Sequence, residues 1–127
     1  MPNKYENKSI HNQDFLNSIH NDYPQEYFDW KVTVQFYVAL HKCYCVLETQ
    51  GEPIEQSHSG NIKNLKSIDP ELSRKLFTLY KNSRQSRYEG FINQDAMDRI
   101  NKINYDSGKV LIQKINTLAL KYYPITA

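Results

Sequence analysis

Apolar positions recur along this 127-residue chain at intervals of three and four residues, the period of a helix packed on one side. The clearest run has spacings of 4, 3, 4, 3 and 3 positions and comprises Trp30, Val34, Tyr37, His41, Tyr44 and Leu47. Phe36, Leu40 and Cys43 widen it. The pattern predicts a core helix that begins between Pro24 and Asp29 and ends at Thr49, before Gly51 and Pro53.

Two shorter helices are predicted on either side of this core helix. The first covers about His11 to His20, so residues 1–10 are expected to form a flexible N-terminal segment. Its predicted buried edge consists of Phe15, Leu16 and Ile19. The other covers about Asn61 to Ser67, after a polar loop that begins at Gly51.

Two long helices are predicted in the C-terminal half. One has Asp69 as its N-cap and Pro70 as its first residue, and it reaches Tyr88 before Gly90. Asn93 caps the last helix, which Ser107 and Gly108 weaken near its middle. The predicted buried face of the last helix consists of Met97, Ile100, Leu111, Ile115, Leu118 and Tyr122.

No strand-like alternation and no hairpin dipeptide interrupts these helical patterns. Long amphipathic helices joined by short loops pack most naturally as an antiparallel bundle. The length suits one hydrophobic core. We therefore predict an all-α fold, an antiparallel four- to five-helix bundle, as a single domain over residues 1–127.

The apolar segments also bear on where the protein is found. No unbroken run is longer than "FYVAL", which is far below the roughly 20 residues of a membrane span. The polar N-terminus has no apolar core of a secretory signal. Cys43 and Cys45 would point to different sides of a helix, so neither a mutual disulfide nor a shared metal is expected. We predict a cytoplasmic protein with reduced cysteines and no membrane partner.

Charge is distributed unevenly along the chain, although the net charge is only +2. Residues 60–88 contain seven basic and two acidic side chains, whereas residues 1–59 contain four basic and eight acidic ones. A run of charge is often only a solvated surface. The alternative is an electropositive surface that attracts phosphate groups. Lys63 is the first basic residue of this segment.

The stretch "LYKNSRQSRYEG" concentrates two of the four arginines within four positions. On a helix, Tyr80, Arg84 and Tyr88 lie above one another and Arg87 lies in the adjacent row. Guanidinium groups suit phosphate because they offer several fixed donors and stay charged. The flanking tyrosines could stack on a base or pack against the arginine stems. The other interpretation is that the arginines merely complement the C-terminal dipole of the helix.

Two histidines are candidates for chemistry. His41 lies on the apolar stripe, where a histidine is either a neutral core residue or a proton acceptor. His58 lies in a polar loop near Ser57 and Ser59, either of which could cap a helix, and it is either simply exposed or functional. His11 and His20 share no pattern with other residues. No spacing suits a shared metal and no cofactor motif is present, so neither a metal nor a cofactor is expected.

Three segments together resemble small bacterial helical proteins of the HEPN superfamily: "DWKVTVQFYVALHKCYCVLETQG", "SHSGN" and "LFTLYKNSRQSRYEG". A tryptophan opens a long helix that contains Phe-Tyr-x-Ala-x-x-His, a histidine follows in the next loop, and Ser-Arg-x-x-Arg-Tyr closes a later helix. The resemblance covers residues 28–90.

This resemblance implies a bundle that usually dimerises and often belongs to toxin–antitoxin or phage-defence systems. Partners would include RNA, a second copy of the chain, and an antitoxin or nucleotidyltransferase-type protein. Many members cleave RNA without metal, using an arginine that a histidine follows a few residues later. The chain departs from that motif because its last histidine, His58, precedes every arginine.

Two functions are consistent with these observations. In the first, the domain binds RNA or a nucleotide phosphate and acts as a metal-independent endoribonuclease, with His41 or His58 as base and Arg84 and Arg87 on the phosphate. The residues expected to contact the base, sugar or backbone are Tyr37, Tyr80, Tyr88 and Lys63. In the second, the chain is a non-catalytic dimerising or partner-binding bundle in which Arg84 pairs with a carboxylate.

Overall fold

A computed structural model describes residues 4–88 and 94–123, with side chains for residues 4–86 and 95–123. These residues form five helices: α1 (Lys4–Asp22), α2 (Phe28–Thr49), α3 (His58–Ile68), α4 (Pro70–Tyr88) and α5 (Gln94–Ala119). The described ranges contain no strand. The predicted all-α fold is therefore confirmed. None of these helices combines the length and the apolar composition that a membrane span requires.

Helix α2 is the centre of the bundle, because it packs against each of the other four helices. The main core lies where α2 meets α3, α4 and α5, and its largest fully buried side chains include Phe36, Leu65, Leu76 and Ile115. A smaller cluster joins α1, α2 and α5 through Leu16, Phe28, Val32 and Tyr105. The bundle thus has two apolar regions, one toward each end of α2.

Two predicted helix boundaries are confirmed in detail. Gly51 has a φ of 75°, and its N–H donates to the Glu48 carbonyl as α2 ends. A left-handed residue at this position favours glycine because a Cβ would be strained. Asp69 caps α4, since its Oδ1 accepts a hydrogen bond of 3.1 Å from the N–H of Leu72. Pro70 is the first residue of α4, as predicted.

Other boundaries were predicted wrongly or lie outside the described residues. The first helix begins at Lys4 instead of His11, so residues 4–10 are helical and not a flexible segment. Helix α3 begins at His58 instead of Asn61, because Ser57 supplies the cap. The predictions for Gly90 and Asn93 fall outside the described residues.

The predicted buried face of α2 is confirmed in part: Phe36, Leu40, Cys43 and Leu47 are buried as predicted, but the other predicted residues lie at the edge of that face. Trp30 is 59% exposed, and Val34, Tyr37, His41 and Tyr44 are only half-buried. The row that faces the interior consists of Phe28, Val32, Phe36, Leu40, Cys43 and Leu47. Helix α2 packs against neighbours on several sides, so large aromatic residues lie at the edges of its packed faces. The spacing of apolar residues in the sequence does not distinguish these half-buried positions from the fully buried ones.

Similar corrections apply to α1 and α5. Phe15 is 55% exposed, whereas its neighbour Leu16 is buried. Ile100 is also exposed, although Met97 and Ile115 are buried as predicted. Helix α5 continues through Gly108, where a Cβ would overlap the side-chain amide of Gln35 on α2. This glycine therefore allows α2 and α5 to approach closely.

The two cysteines follow the prediction. Cys43 and Cys45 are both buried and neither forms a disulfide. Burial raises the pKa of the Cys45 thiol to about 11 and raises the pKa of Cys43 further. Both side chains are thus protonated apolar components of the core at neutral pH.

Candidate functional site

Side chains from three helices form a continuous series of ring contacts, which we call the His–Tyr row: Tyr37 and His41 of α2, His58 of α3 and Tyr80 of α4. The Tyr37 ring centroid lies 6.4 Å from that of His41 and 6.1 Å from that of His58. The His58 ring contacts Tyr80 at 5.7 Å. Four residues that the sequence singled out separately are therefore brought together by the packing of α2, α3 and α4.

Phe36 forms the base of the His–Tyr row. Its ring is fully buried and its centroid lies 5.2 Å from Tyr37, 5.1 Å from His58 and 5.4 Å from Tyr80. The contact with His58 is edge to face, with an interplanar angle of 85°. Such packing of aromatic groups restricts ring orientation beyond what simple burial does. The orientation of the row is thus fixed from below by the main core.

The environment of His41 makes it a neutral proton acceptor. Its Nδ1 lies 2.8 Å from the carbonyl oxygen of Tyr37, and because a carbonyl only accepts, Nδ1 must carry the proton. The Asn12 amide nitrogen lies 3.4 Å from the same atom, but both groups are donors in this tautomer, so the shorter contact with the carbonyl decides the proton position. Nε2 then holds the free lone pair, and it forms no hydrogen bond with any described residue. Desolvation lowers the His41 pKa, the Tyr37 carbonyl opposes this, and Lys8 contributes to the lowering.

His58 is the first residue of α3, not a loop residue as predicted. Ser57 Oγ accepts a hydrogen bond of 3.1 Å from the N–H of Gly60, so the helix start is well defined. The His58 side chain is half-buried, and its Nδ1 is shielded from solvent. The remaining N–H groups of the first turn carry partial positive charge, which favours an anion nearby.

Arg84 extends the His–Tyr row to the surface. Its guanidinium carbon lies 5.8 Å from the centroid of the Tyr80 ring, within the range of a cation–π contact. The side chain is exposed, and none of the ion pairs among the described residues involves it. The guanidinium is therefore held by a ring and not by a described carboxylate, which leaves its donors available to an anion.

Helices α3 and α4, which pack against each other, carry the cations that the charge pattern indicated. Five exposed basic residues of these helices have no ion pair among the described residues: Lys63, Lys66, Arg74, Lys81 and Arg84. Lys75 differs because it forms an ion pair of 3.0 Å with Glu71. Asp69 is buried at the cap and accepts a hydrogen bond from Tyr122. We call this set of five residues the α3–α4 basic surface.

Three candidate residues are not placed in the His–Tyr row. Lys63 is exposed on α3, and no described ring or hydrogen bond links it to His58 or Tyr80. It belongs only to the α3–α4 basic surface. The side chains of Arg87 and Tyr88 lie outside the described part of α4, so their predicted roles stay predictions.

Sequence reasoning missed a second group around Lys31, a lysine that is 0% exposed. Its Nζ donates to the backbone carbonyl of Tyr23 and lies 3.2 Å from Nδ1 of His20. The ammonium also lies 4.4 Å from the Phe28 ring centroid and 5.7 Å from that of Tyr105. We call these residues the Lys31 pocket. Lysine is almost never fully buried without partners, and no local pattern in the sequence indicated these.

Burial and neighbouring charges lower two pKa values in the Lys31 pocket. Desolvation lowers the pKa of Lys31, and Glu26 opposes the shift. Desolvation also lowers the pKa of His20, with Lys31 and Lys109 adding to the effect and Asp106 opposing it. Because Nδ1 of His20 accepts from an ammonium, this ring must be neutral in the folded protein. The hydrogen bond between Nδ1 of His20 and Lys31 therefore has a structural role.

An open cleft of about 560 Å³ lies between the start of α2 and the N-terminal half of α5. Its lining includes two exposed aromatic residues, Tyr27 and Trp30. Tyr27 has a left-handed backbone with a φ of 59°, which is uncommon for a residue other than glycine. Acidic and basic side chains both line this cleft, among them Asp29 and Arg99. It is separate from the His–Tyr row, because they share no residue.

Over residues 4–88 and 94–123, no three histidine, cysteine or acidic side chains converge in a way that could hold a metal ion. Comparison with protein families, with curated proteins and with solved structures finds no match to this chain.

Proposed function

We propose that the chain is a HEPN-like domain that binds RNA or a nucleotide phosphate at the His–Tyr row and Arg84. We further propose that it acts there as a metal-independent endoribonuclease of a toxin–antitoxin or phage-defence system. The observation that carries the proposal is the contact series from His41 through Tyr37, His58 and Tyr80 to an exposed arginine without a described carboxylate partner.

The proposed reaction is cleavage by internal transfer, and it requires the bound RNA to bring one phosphate within reach of both His41 and Arg84, which lie at opposite ends of the contact series. Nε2 of His41 takes the proton of a ribose 2′-hydroxyl, and the resulting oxygen attacks the adjacent phosphorus while the 5′-oxygen of the next nucleotide leaves. The lowered pKa of His41 keeps the ring unprotonated at neutral pH, as a base requires. Arg84 offsets the negative charge that develops on the phosphoryl oxygens. The leaving oxygen takes a proton from His58 or from water.

Tyr37 and Tyr80 have a positioning role in this proposal. Tyr37 contacts both imidazoles and its carbonyl fixes the His41 tautomer. Tyr80 contacts both His58 and the Arg84 guanidinium. A change at either tyrosine would therefore alter the alignment of base and phosphate ligand, and alignment contributes strongly to catalysis.

Binding is the first test. We expect Arg84→Ala to weaken binding of a labelled single-stranded RNA at low salt by about tenfold, because a charge-assisted bond to phosphate is lost. Arg99→Ala is the matched control, since it removes the same exposed charge from α5. Equal affinity of the wild-type protein and both variants, or no binding by any of them, would contradict the proposal.

Cleavage is the second test. His41→Gln and His58→Gln keep a similar size and hydrogen-bonding capacity but cannot accept a proton near neutral pH. In EDTA, we expect His41→Gln to reduce the cleavage rate by about 10²–10⁴-fold, the usual contribution of a general base. His11→Gln, on an exposed histidine of α1, is the control. Undiminished cleavage by both variants would exclude each histidine as the base.

The alternative function is a non-catalytic bundle that dimerises or binds a partner. The exposed aromatic residues Tyr23, Tyr27 and Trp30 near the cleft favour it, because aromatic residues are enriched at interfaces. This interpretation predicts that Trp30→Ala lowers the mass of the protein in light scattering, while RNA binding is absent from the start. A monomeric wild-type protein would contradict dimerisation through this surface.

A further inference from the structure

Helix α4 exposes an unusual set of side chains. After its first turn, every described residue that is exposed is either basic or aromatic: Arg74, Phe77, Lys81 and Arg84. Their spacing of three, four and three residues places them on one side of the helix. From Arg74 to Arg84 the helix rises about 15 Å. The aromatic member, Phe77, has no part in the function proposed above.

Phe77 is connected to the candidate site. Its ring is 45% exposed, and its centroid lies 6.4 Å from that of Tyr80, which contacts both His58 and Arg84. Nζ of Lys81 lies 5.1 Å from the Phe77 centroid. The exposed ring is therefore bordered by cations along the helix and by the His–Tyr row beside it.

Helix α5 provides the contrast. Its exposed charges are of both signs, with Asp98 next to Arg99 and Asp106 near Lys109. Its large exposed apolar side chains are aliphatic, for example Ile103 and Val110. A mixed surface of this kind is typical of a solvated helix. In the described residues, α4 differs from α5 because its exposed aromatic ring lies among side chains that are all basic.

We infer that the ligand of this site is single-stranded RNA, that its backbone follows Arg74, Lys81 and Arg84, and that one unpaired base stacks on Phe77. The inference rests on the proposed function and specifies its substrate class. Surfaces that bind single strands combine cations along the backbone with aromatic rings under the bases. Bases within a duplex are stacked on one another, so a duplex can use the cations but not the ring.

The first experiment compares two ligands of equal length, a labelled single-stranded oligouridine and a fully base-paired RNA hairpin closed by a non-nucleotide linker, by fluorescence anisotropy at low salt. We expect Phe77→Ala to weaken binding of the single strand by about tenfold, within the range known for base–aromatic stacking. We expect it to leave hairpin affinity unchanged. Phe77→Leu should behave like the alanine variant, because it keeps apolar volume but removes the ring.

Phe15→Ala is the matched control, since Phe15 is exposed to a similar degree on α1. It should leave both affinities unchanged. Thermal unfolding of each variant checks that an affinity change does not come from loss of structure. An abasic version of the oligonucleotide should bind wild-type protein and Phe77→Ala equally well, because there is no base to stack.

Salt dependence separates the ring from the cations. For single strands, each phosphate contact contributes about 0.7 to the slope of log affinity against log salt. Lys81→Ala should reduce that slope by about this amount. Phe77→Ala should leave the slope unchanged while it shifts the affinity at every salt concentration.

The outcomes separate the two claims. If the wild-type protein binds neither RNA, the proposed function fails and the inference fails with it. If it binds single strands and depends on Arg84, but Phe77→Ala has no effect, only the stacking inference is wrong. Binding of the hairpin as tight as that of the single strand, with equal sensitivity to Phe77→Ala, would also overturn the inference.

Discussion

Two regions of the bundle contain histidine next to aromatic rings, and they use it in opposite ways. In the Lys31 pocket, Nδ1 of His20 accepts from a buried ammonium, and the ring lies 5.2 Å from Tyr105. In the His–Tyr row, Nδ1 of His41 is bound to a backbone carbonyl, while Nε2 has no hydrogen bond to a described residue. The bound ring nitrogen is thus an acceptor at one site and a donor at the other.

The difference lies in what surrounds the imidazole. Lys31 is fully buried and its hydrogen bonds tie the end of α1 and the following turn to α2. The His–Tyr row, in contrast, rests on a buried phenylalanine and ends at an exposed arginine. The Lys31 pocket is thus closed within the protein interior, whereas the His–Tyr row reaches the surface. Substitutions in the two regions should therefore affect different measurements.

Phe36→Ala should have the largest effect on stability. The side chain is fully buried and supports three rings of the His–Tyr row, so its removal should cost about 3–5 kcal/mol of unfolding free energy. Urea denaturation measures this. Phe77→Ala, on the exposed ring of α4, should change stability by less than about 0.5 kcal/mol. A small effect at Phe36 would mean that the row does not depend on the core beneath it.

His20→Ala should have an intermediate effect. The variant removes an acceptor from the buried ammonium of Lys31, and a hydrogen bond to a charged group contributes about 1.5–3 kcal/mol. The same denaturation experiment applies, with exposed His11→Ala as a control that should be neutral. The affinity for single-stranded RNA should not change. A neutral His20→Ala variant would show that water replaces the imidazole without loss.

A smaller effect is expected from pH. The pKa values of His20 and His41 are both lowered in the folded protein from the ordinary value of 6.5. Below 6.5 the unfolded chain therefore binds more protons than the folded one. Stability should fall as the pH decreases from 6.5 through the folded-state pKa values, and it should not respond to these groups above that range.

Urea denaturation at a series of pH values between 5 and 8 tests this sign. His20→Gln keeps an acceptor for Lys31 but does not titrate there, so the pH dependence of its stability should be weaker than that of the wild-type protein. Stability that rises as the pH falls below 6.5 would contradict neutral histidines in the folded state.

Local rules predicted the helical content and several ends of helices. The predicted helix start at Asp69 and Pro70 and the predicted stop at Gly51 are confirmed. Such ends can be predicted because caps and left-handed turns depend on a few adjacent residues. The start of α1 was missed because its first turns are polar and carry little periodic signal. Trp30 was placed in the core wrongly, since a large aromatic residue at helical spacing satisfies the pattern whether or not a neighbouring helix covers it.

The sequence by itself determined an all-α chain, its cap residues and the concentration of positive charge in residues 60–88, because periodicity, capping and composition are local properties. Only the tertiary structure decided which side chains meet. Contacts such as Tyr37 with His58, or Lys31 with His20, depend on how helices are rotated and packed against each other. That rotation follows from the fit of many side chains at once, and no single segment contains the information.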